Sequence, residues 1–181
     1  CRRQRQMCIR DSHNMDDYPL KMHVFNRARL IKNSKNRIPY GVDLIQKYKR
    51  ESWIVFTENK KQAKEFNKII NTKGFKSALY NTDLDSTERL ENLNKFKKAD
   101  LNVLVTCTAL DEGFDMPEAD GALILSASSS KRQRVQRMGR VLRITENKPN
   151  ALIVTVYSSK TEFDKLMEEA KRYHKEGVPV S

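Results

Sequence analysis

The chain has 181 residues, 38% of them apolar and 32% charged, with a formal net charge of +12. That length suits one ordinary domain plus a short extension; no apolar run approaches the roughly 18 residues of a membrane span, and the basic, polar N-terminus shows no secretory signal. The charge is uneven: residues 1–50 hold thirteen Lys/Arg against four Asp, a balance of +9, and the other 131 residues carry only +3. A basic arm on a near-balanced domain points to a polyanionic partner, most simply nucleic acid. A solubilising surface or a disordered tail is the plainer reading of residues 1–14. The chain does not begin with Met, so a piece of a longer protein is expected.

In chain order, Met7 to Ser12 reads M-C-I-R-D-S, a string with the look of translated adapter sequence, and residues 1–14 are set aside as non-native or disordered. Residues 15–50 form a basic helical lead-in. The pattern from Leu20 to Arg50 is helical, with a break expected at Ile38-Pro39-Tyr40-Gly41, because Pro39 disfavours helix at Ile38. A fresh helix then starts near Gly41 with Val42, Leu44, Ile45 and Tyr48 as its apolar stripe. Residues 51–181 alternate in period. Ser52 to Thr57 is a buried strand, and Lys60 to Lys73 a helix with Ala63, Phe66 and Ile69/Ile70 inward, stopped by Gly74. Lys76 to Tyr80 is a short strand. Asp85 opens a helix with Glu88 three residues on, a capping-box pattern, and Leu90, Leu93 and Phe96 face the core. Asn102 to Thr106 and Gly121 to Ser126 are strands; a basic helix around Lys131–Arg143, the strand Ala151 to Val156 and a helix from about Thr161 to Lys175 complete the chain.

Short apolar strands alternating with amphipathic helices predict an α/β fold of three αβα layers, a mostly parallel sheet covered on both faces. Function in such sheets gathers at the carboxyl ends of the strands. The segments to read are therefore Thr57 to Asn59, Thr106 to Asp115 and Ser126 to Arg132. Cys1, Cys8 and Cys107 make no CxxC pair, and His13, His23 and His174 are far apart, so no metal site is expected. Unpaired cysteines fit a reducing compartment, cytoplasm or nucleus, and Cys107, beside an apolar strand, is expected to be buried rather than reactive.

Two segments carry chemistry. In Gln136-Arg137-Met138-Gly139-Arg140-Val141-Leu142-Arg143, the helical spacing puts Gln136, Arg140 and Arg143 on one face and Val135, Met138 and Leu142 on a second, apolar one. A helix docked by its back would present guanidinium forks suited to phosphate oxygens; a solvated basic face is the plainer reading. In Val103 to Asp120, a strand ends in the hydroxyls of Thr106 and Thr108, turns, and presents Gly113-Phe114-Asp115-Met116-Pro117. Hydroxyls and backbone N–H groups there can hold a phosphate, Gly113 allows close approach, and Asp115 can accept from a ribose diol. An Asx-turn at Asp115 and strand-end hydrogen bonds of the threonines are the plainer readings.

Together these segments resemble superfamily 2 helicases. Gln136 to Arg143 is similar to motif VI, Q-x-x-G-R-x-x-R, and Val103 to Ala119 to motif V. Trp53 to Thr57 with Gln62-Ala63 resembles motif IV, and Ser86 to Arg89 with Phe96 the segment between IV and V. The resemblance covers about residues 20–175. It implies that residues 51–181 are the second, RecA-like domain of a DEAD/DEAH-type ATPase, of the DNA-repair and restriction branch. Gln136 stands where DEAD-box proteins carry His, and Thr161-Glu162 is also similar to that branch. By resemblance, Arg140 and Arg143 are fingers on ATP supported by Gln136. Gly113, Asp115 and Gly139 contact the nucleotide, and Thr57, Thr106, Thr108 and Arg132 contact nucleic acid, with DNA favoured. Many relatives have Thr where Cys107 stands, so the motif V phosphate contact falls to Thr106 or Thr108.

The 181 residues contain no G-x-x-x-x-G-K-[ST] and no D-E-x-H/D box. ATP and Mg²⁺ are therefore expected on an N-terminal RecA-like domain of the same protein, and the chain alone is expected to be inactive. The alternative from another class is a non-catalytic RecA-like module that binds nucleic acid or a protein. A Rossmann-type enzyme has little support, because no G-x-G-x-x-G follows any strand.

Overall fold

The computed structural model describes residues 34, 36–107, 118–125 and 152–175. In chain order the elements are α1 (Arg37–Tyr48), β1 (Trp53–Thr57), α2 (Lys60–Thr72), β2 (Ser77–Tyr80), α3 (Ser86–Lys97), β3 (Val103–Cys107), β4 (Gly121–Ile124), β5 (Leu152–Thr155) and α4 (Lys160–Lys175). The described strands form one sheet in the order β2-β3-β1-β4-β5, and every described pairing is parallel.

The strands read as continuous apolar runs because both faces of the sheet are covered. Every residue of β1, β3 and β4 is buried. Alternate side chains divide the core in two. Trp53, Val55, Val103, Val105 and Leu123 pack with Ile38, Val42 and Ile45 of α1 and Ala63, Phe66 and Ile70 of α2. Ile54, Phe56, Leu104, Ala122 and Ile124 pack with Leu93 and Phe96 of α3 on the other side. The chain makes α2 and α3 take opposite faces: β1 to β2 steps outward past β3, β2 to β3 steps back, and right-handed crossovers in opposite directions lie on opposite faces. The α/β sandwich expected from the sequence is therefore present.

Local signals explain the boundaries. The Asn59 side chain accepts from Gln62 N at 2.9 Å and opens α2; Gly74, at φ +88°, closes the turn after it. Asp85 accepts from Thr87 N at 3.1 Å at the head of α3. That bond is the main reason its carboxyl sits below the ordinary value.

Two expectations need correction. The break at Ile38–Gly41 does not occur, because α1 runs unbroken from Arg37. Pro39 is its third residue, where the missing N–H has no intrahelical acceptor to lose. Tyr40, the first residue whose amide needs one, donates to Asn36 O at 3.4 Å. Burial of Ile38 to 2% exposure outweighs the preference of a pre-proline residue for extended backbone. Leu90 does not face the core and is 57% exposed. The inward face of α3 is centred between Arg89, Leu93 and Phe96, and Leu90 lies about 100° round the axis from that centre. The expected helix over Lys131–Arg143 and the lead-in before residue 34 lie outside the described residues.

Candidate functional site

β1 is the central strand, with β3 and β4 in register on either side of it. The chain leaves β3 at Cys107 and β4 beyond Ile124 at the same carboxyl edge. The chain runs from β1 to β2 on one side and from β4 to β5 on the other, so the switch point at which parallel sheets gather ligands lies between β1 and β4. One exit leads into Thr108, Gly113 and Asp115, the other into Arg132, Gln136, Gly139, Arg140 and Arg143. These eight expected site residues lie outside the described residues.

Two expected site residues are described, and the fold brings them together. Thr57 ends β1 and Thr106 is the last but one residue of β3, and both are buried. The Thr57 hydroxyl lies 3.1 Å from Thr106 O and 3.3 Å from Asn59 O, donating to one carbonyl at a time. It therefore ties β1 to β3 at the edge. Cys107, the next residue, is buried as expected.

Beside them stands a group that sequence reasoning passes over. Asn81, just past β2, is 3% exposed. Its side-chain oxygen accepts from Asp83 N at 3.1 Å, and its amide nitrogen finds no acceptor among the described residues. Asp83 pairs with Lys60 and, at 3.5 Å, with Lys64 on the first turns of α2. The hydrogen bond from Lys60 is the leading reason the Asp83 carboxyl is held below its ordinary value. A polar Asn-Thr-Asp run straight after a strand was the available signal.

At the other end of the same edge, Arg37 is 2% exposed. Its Nη1 donates to Leu125 O at 2.7 Å and Val156 O at 3.0 Å, past the ends of β4 and β5. Its Nη2 meets Ser158 Oγ at 2.6 Å and Glu162 Oε2 at 2.5 Å. No sequence signal marks this contact, because the partners lie about 90 to 125 positions away.

Among the described residues, no group of three or more His, Cys, Asp or Glu is placed to hold a metal ion. No described helix is long and apolar enough to cross a membrane.

The model of the helicase conserved C-terminal domain matches residues 36–145. The chain is 36% identical over 129 residues to the DNA 3'-5' translocase XPB2 of Sulfurisphaera tokodaii, covering 71% of this chain and 28% of that protein. It is 29% identical over 147 residues to the UvrABC system protein B of Fusobacterium nucleatum, covering 77% of this chain and 22% of that one. The chain thus spans less than a third of the length of either relative. Among solved structures, the C-terminal domain of the DEAD-box protein Dbp5 superposes with a TM-score of 0.67 at 22% identity, over 78% of this chain and 81% of that one. The Hef helicase domain of Pyrococcus furiosus gives 0.56 at 23%, over 74% and 28%. These last two likenesses are of fold, and the fold is that of RecA-like C-terminal helicase domains. With the family model covering more than half of its residues, the chain belongs to the helicase conserved C-terminal domain family.

Proposed function

We propose that this chain is the C-terminal motor domain of an ATP-dependent helicase or translocase that acts on DNA in a reducing intracellular compartment. The observation that carries the reading is the switch point. The connections of β1 and β4 diverge there, and because β3 and β4 both run parallel to β1, the chain segments bearing Asp115 and Arg140 leave the sheet at that carboxyl edge. The name of the first relative above, a DNA translocase, favours DNA.

In this reading an N-terminal RecA-like domain of the parent protein binds ATP with Mg²⁺, because the G-x-x-x-x-G-K-[ST] and D-E-x-H/D motifs that do so are not among these 181 residues. The present domain closes on it. Arg140 and Arg143 meet the γ-phosphate region, where planar guanidinium forks match the charge that develops during transfer. Gln136 supports that interface, Gly139 gives close backbone approach, and Gly113 and Asp115 touch the ribose. Thr57 and Thr106 form the floor of the nucleic-acid path, since the Thr57 hydroxyl already bonds the Thr106 carbonyl. Thr108 and Arg132 make the direct phosphate contacts. Opening and closing of the cleft moves the strand. Contacts to phosphate make binding sequence-tolerant and salt-sensitive.

The test is steady-state ATPase activity of the parent protein and of this chain alone, each with DNA, with RNA and without either. The parent should turn over ATP faster with DNA, and the isolated chain should show no appreciable turnover. Robust turnover by the isolated chain would overturn the division of labour, and stimulation by RNA but not DNA would overturn the substrate.

A further inference from the structure

The buried guanidinium of Arg37 stands where sheet hydrogen bonding stops. Leu125 N donates to Phe56 O at 2.9 Å and Val156 N to Ile124 O at 2.8 Å. The carbonyls of those same residues, Leu125 O and Val156 O, are held by Arg37 Nη1. The fork is locked from behind. Nη2 contacts Glu162 in the first turn of α4, and the same Glu162 oxygen accepts from Ser158 N at 2.8 Å. Four elements, α1, β4, β5 and α4, thus converge on one side chain. A buried ion pair adds little net stability over an apolar pair of equal volume. What it adds is direction, because only the planar five-donor fork reaches both carbonyls and the carboxylate together.

We propose that Arg37 is a positioning residue: locked by Glu162, it fixes the carboxyl ends of β4 and β5 to the head of α1 and so sets the point from which the segment bearing Gln136, Arg140 and Arg143 departs. The inference rests on the proposed function for its catalytic consequence, and on the described hydrogen bonds for its structural one. Arg37 touches neither nucleotide nor nucleic acid in this account. It acts through Leu125, the last described residue before residues 126–150. It also lies three residues after Ser34, whose carbonyl accepts from Arg37 N at 3.2 Å.

The experiment compares the full parent protein with its Arg37→Lys and Glu162→Gln variants, and with Ser158→Ala as a milder lesion. Two quantities are read: the kcat and KM for ATP, and amide hydrogen exchange over residues 126–150 relative to α2. Arg37→Lys keeps the charge but loses the fork. It should lower kcat about ten- to a hundredfold, as a misplacement of about 1 Å does, with KM for ATP nearly unchanged. It should also raise exchange in 126–150 while α2 stays protected. Glu162→Gln should follow the same pattern, the double variant should be no worse than the worse single one, and Ser158→Ala should show a smaller shift of the same kind. Wild-type kcat and exchange in folded Arg37→Lys or Ser158→Ala protein would overturn the proposal. So would a rise in exchange spread evenly over α2 and residues 126–150, which marks a role in global stability alone. Arg140→Ala run alongside separates the two readings. If it keeps full turnover, the proposed function fails and the exchange data alone decide the role of Arg37; if it is dead and the Arg37 variants are normal, only the positioning role fails.

Discussion

Gly121→Ala probes how tightly the two strands at the switch point fit. Gly121 pairs with Trp53 across β1 and β4. A Cβ built on it would stand 2.6, 2.7 and 2.8 Å from Cε3, Cζ3 and Cδ2 of the Trp53 indole. Carbon contacts are comfortable at about 3.5–4.0 Å, so the ring would have to retreat by roughly 1 Å. Trp53 is fully buried, the ring is rigid, and interiors packed to crystal-like density leave it nowhere to go. Overpacking of this kind costs about 1–3 kcal/mol, against a gain of about 0.4–1 kcal/mol from the reduced entropy of the unfolded chain. A net destabilisation of about 1–2 kcal/mol is expected. Urea unfolding followed by the emission of Trp53, the only tryptophan in the chain, should show a lower midpoint with an unchanged slope. Trp53→Phe removes the benzo ring that meets the new methyl, so Gly121→Ala should cost less in that background, where unfolding is followed by far-ultraviolet circular dichroism because the one tryptophan is gone. An unchanged or raised midpoint for Gly121→Ala, or equal costs in both backgrounds, would refute the packing argument.

Further expectations follow from local geometry. Asn59→Ala removes the cap of α2 and should lower stability by about 1 kcal/mol, seen as a shift in the urea midpoint. Phe96→Ala, in the core, should cost about 3–5 kcal/mol, whereas Leu90→Ser, earlier on the same helix, should stay within about 0.5 kcal/mol; equal costs would return Leu90 to the core. The Asp83 carboxyl is depressed in the folded protein, so its contribution is present above the ordinary carboxylate value of 3.8 and is lost as pH falls through the lower folded value. Wild type and Asp83→Asn should therefore differ in urea midpoint at neutral pH and converge in strong acid; a gap that persists there would remove the Lys60 and Lys64 pairing as its cause.

Much of the fold was legible because its signals are local. Each described strand falls within a residue or two of its apolar run. α2 was expected over Lys60–Lys73 and spans Lys60–Thr72, with the turn closing at Gly74. The misreadings came where tertiary burial overrode a local rule. Pro39 suggested a break, but a first-turn proline is harmless and Ile38 had a core to fill. Leu90 fitted the spacing of Leu93 and Phe96, yet the sheet meets the other side of that stripe. The strand order and the Arg37 contact with Leu125, Val156 and Glu162 were not legible, since they join residues far apart in sequence and leave no periodic trace. Of the expected site, Thr57 and Thr106 meet at the edge the sequence named, although the hydroxyl of Thr57 bonds backbone there. The roles of Asp115, Arg140 and the other motif residues remain proposals drawn from resemblance.

The central claim is that Arg140 acts as a finger on a nucleotide bound by the partner domain of the same protein. Its most direct test is the DNA-stimulated ATPase rate of the parent protein carrying Arg140→Ala, with folding checked by thermal unfolding. Arginine fingers contribute about 10³–10⁵ in rate, so turnover should fall by at least about a thousandfold with an unchanged unfolding temperature. A loss below about tenfold, or roughly 1.4 kcal/mol of barrier, in a folded variant would contradict the account.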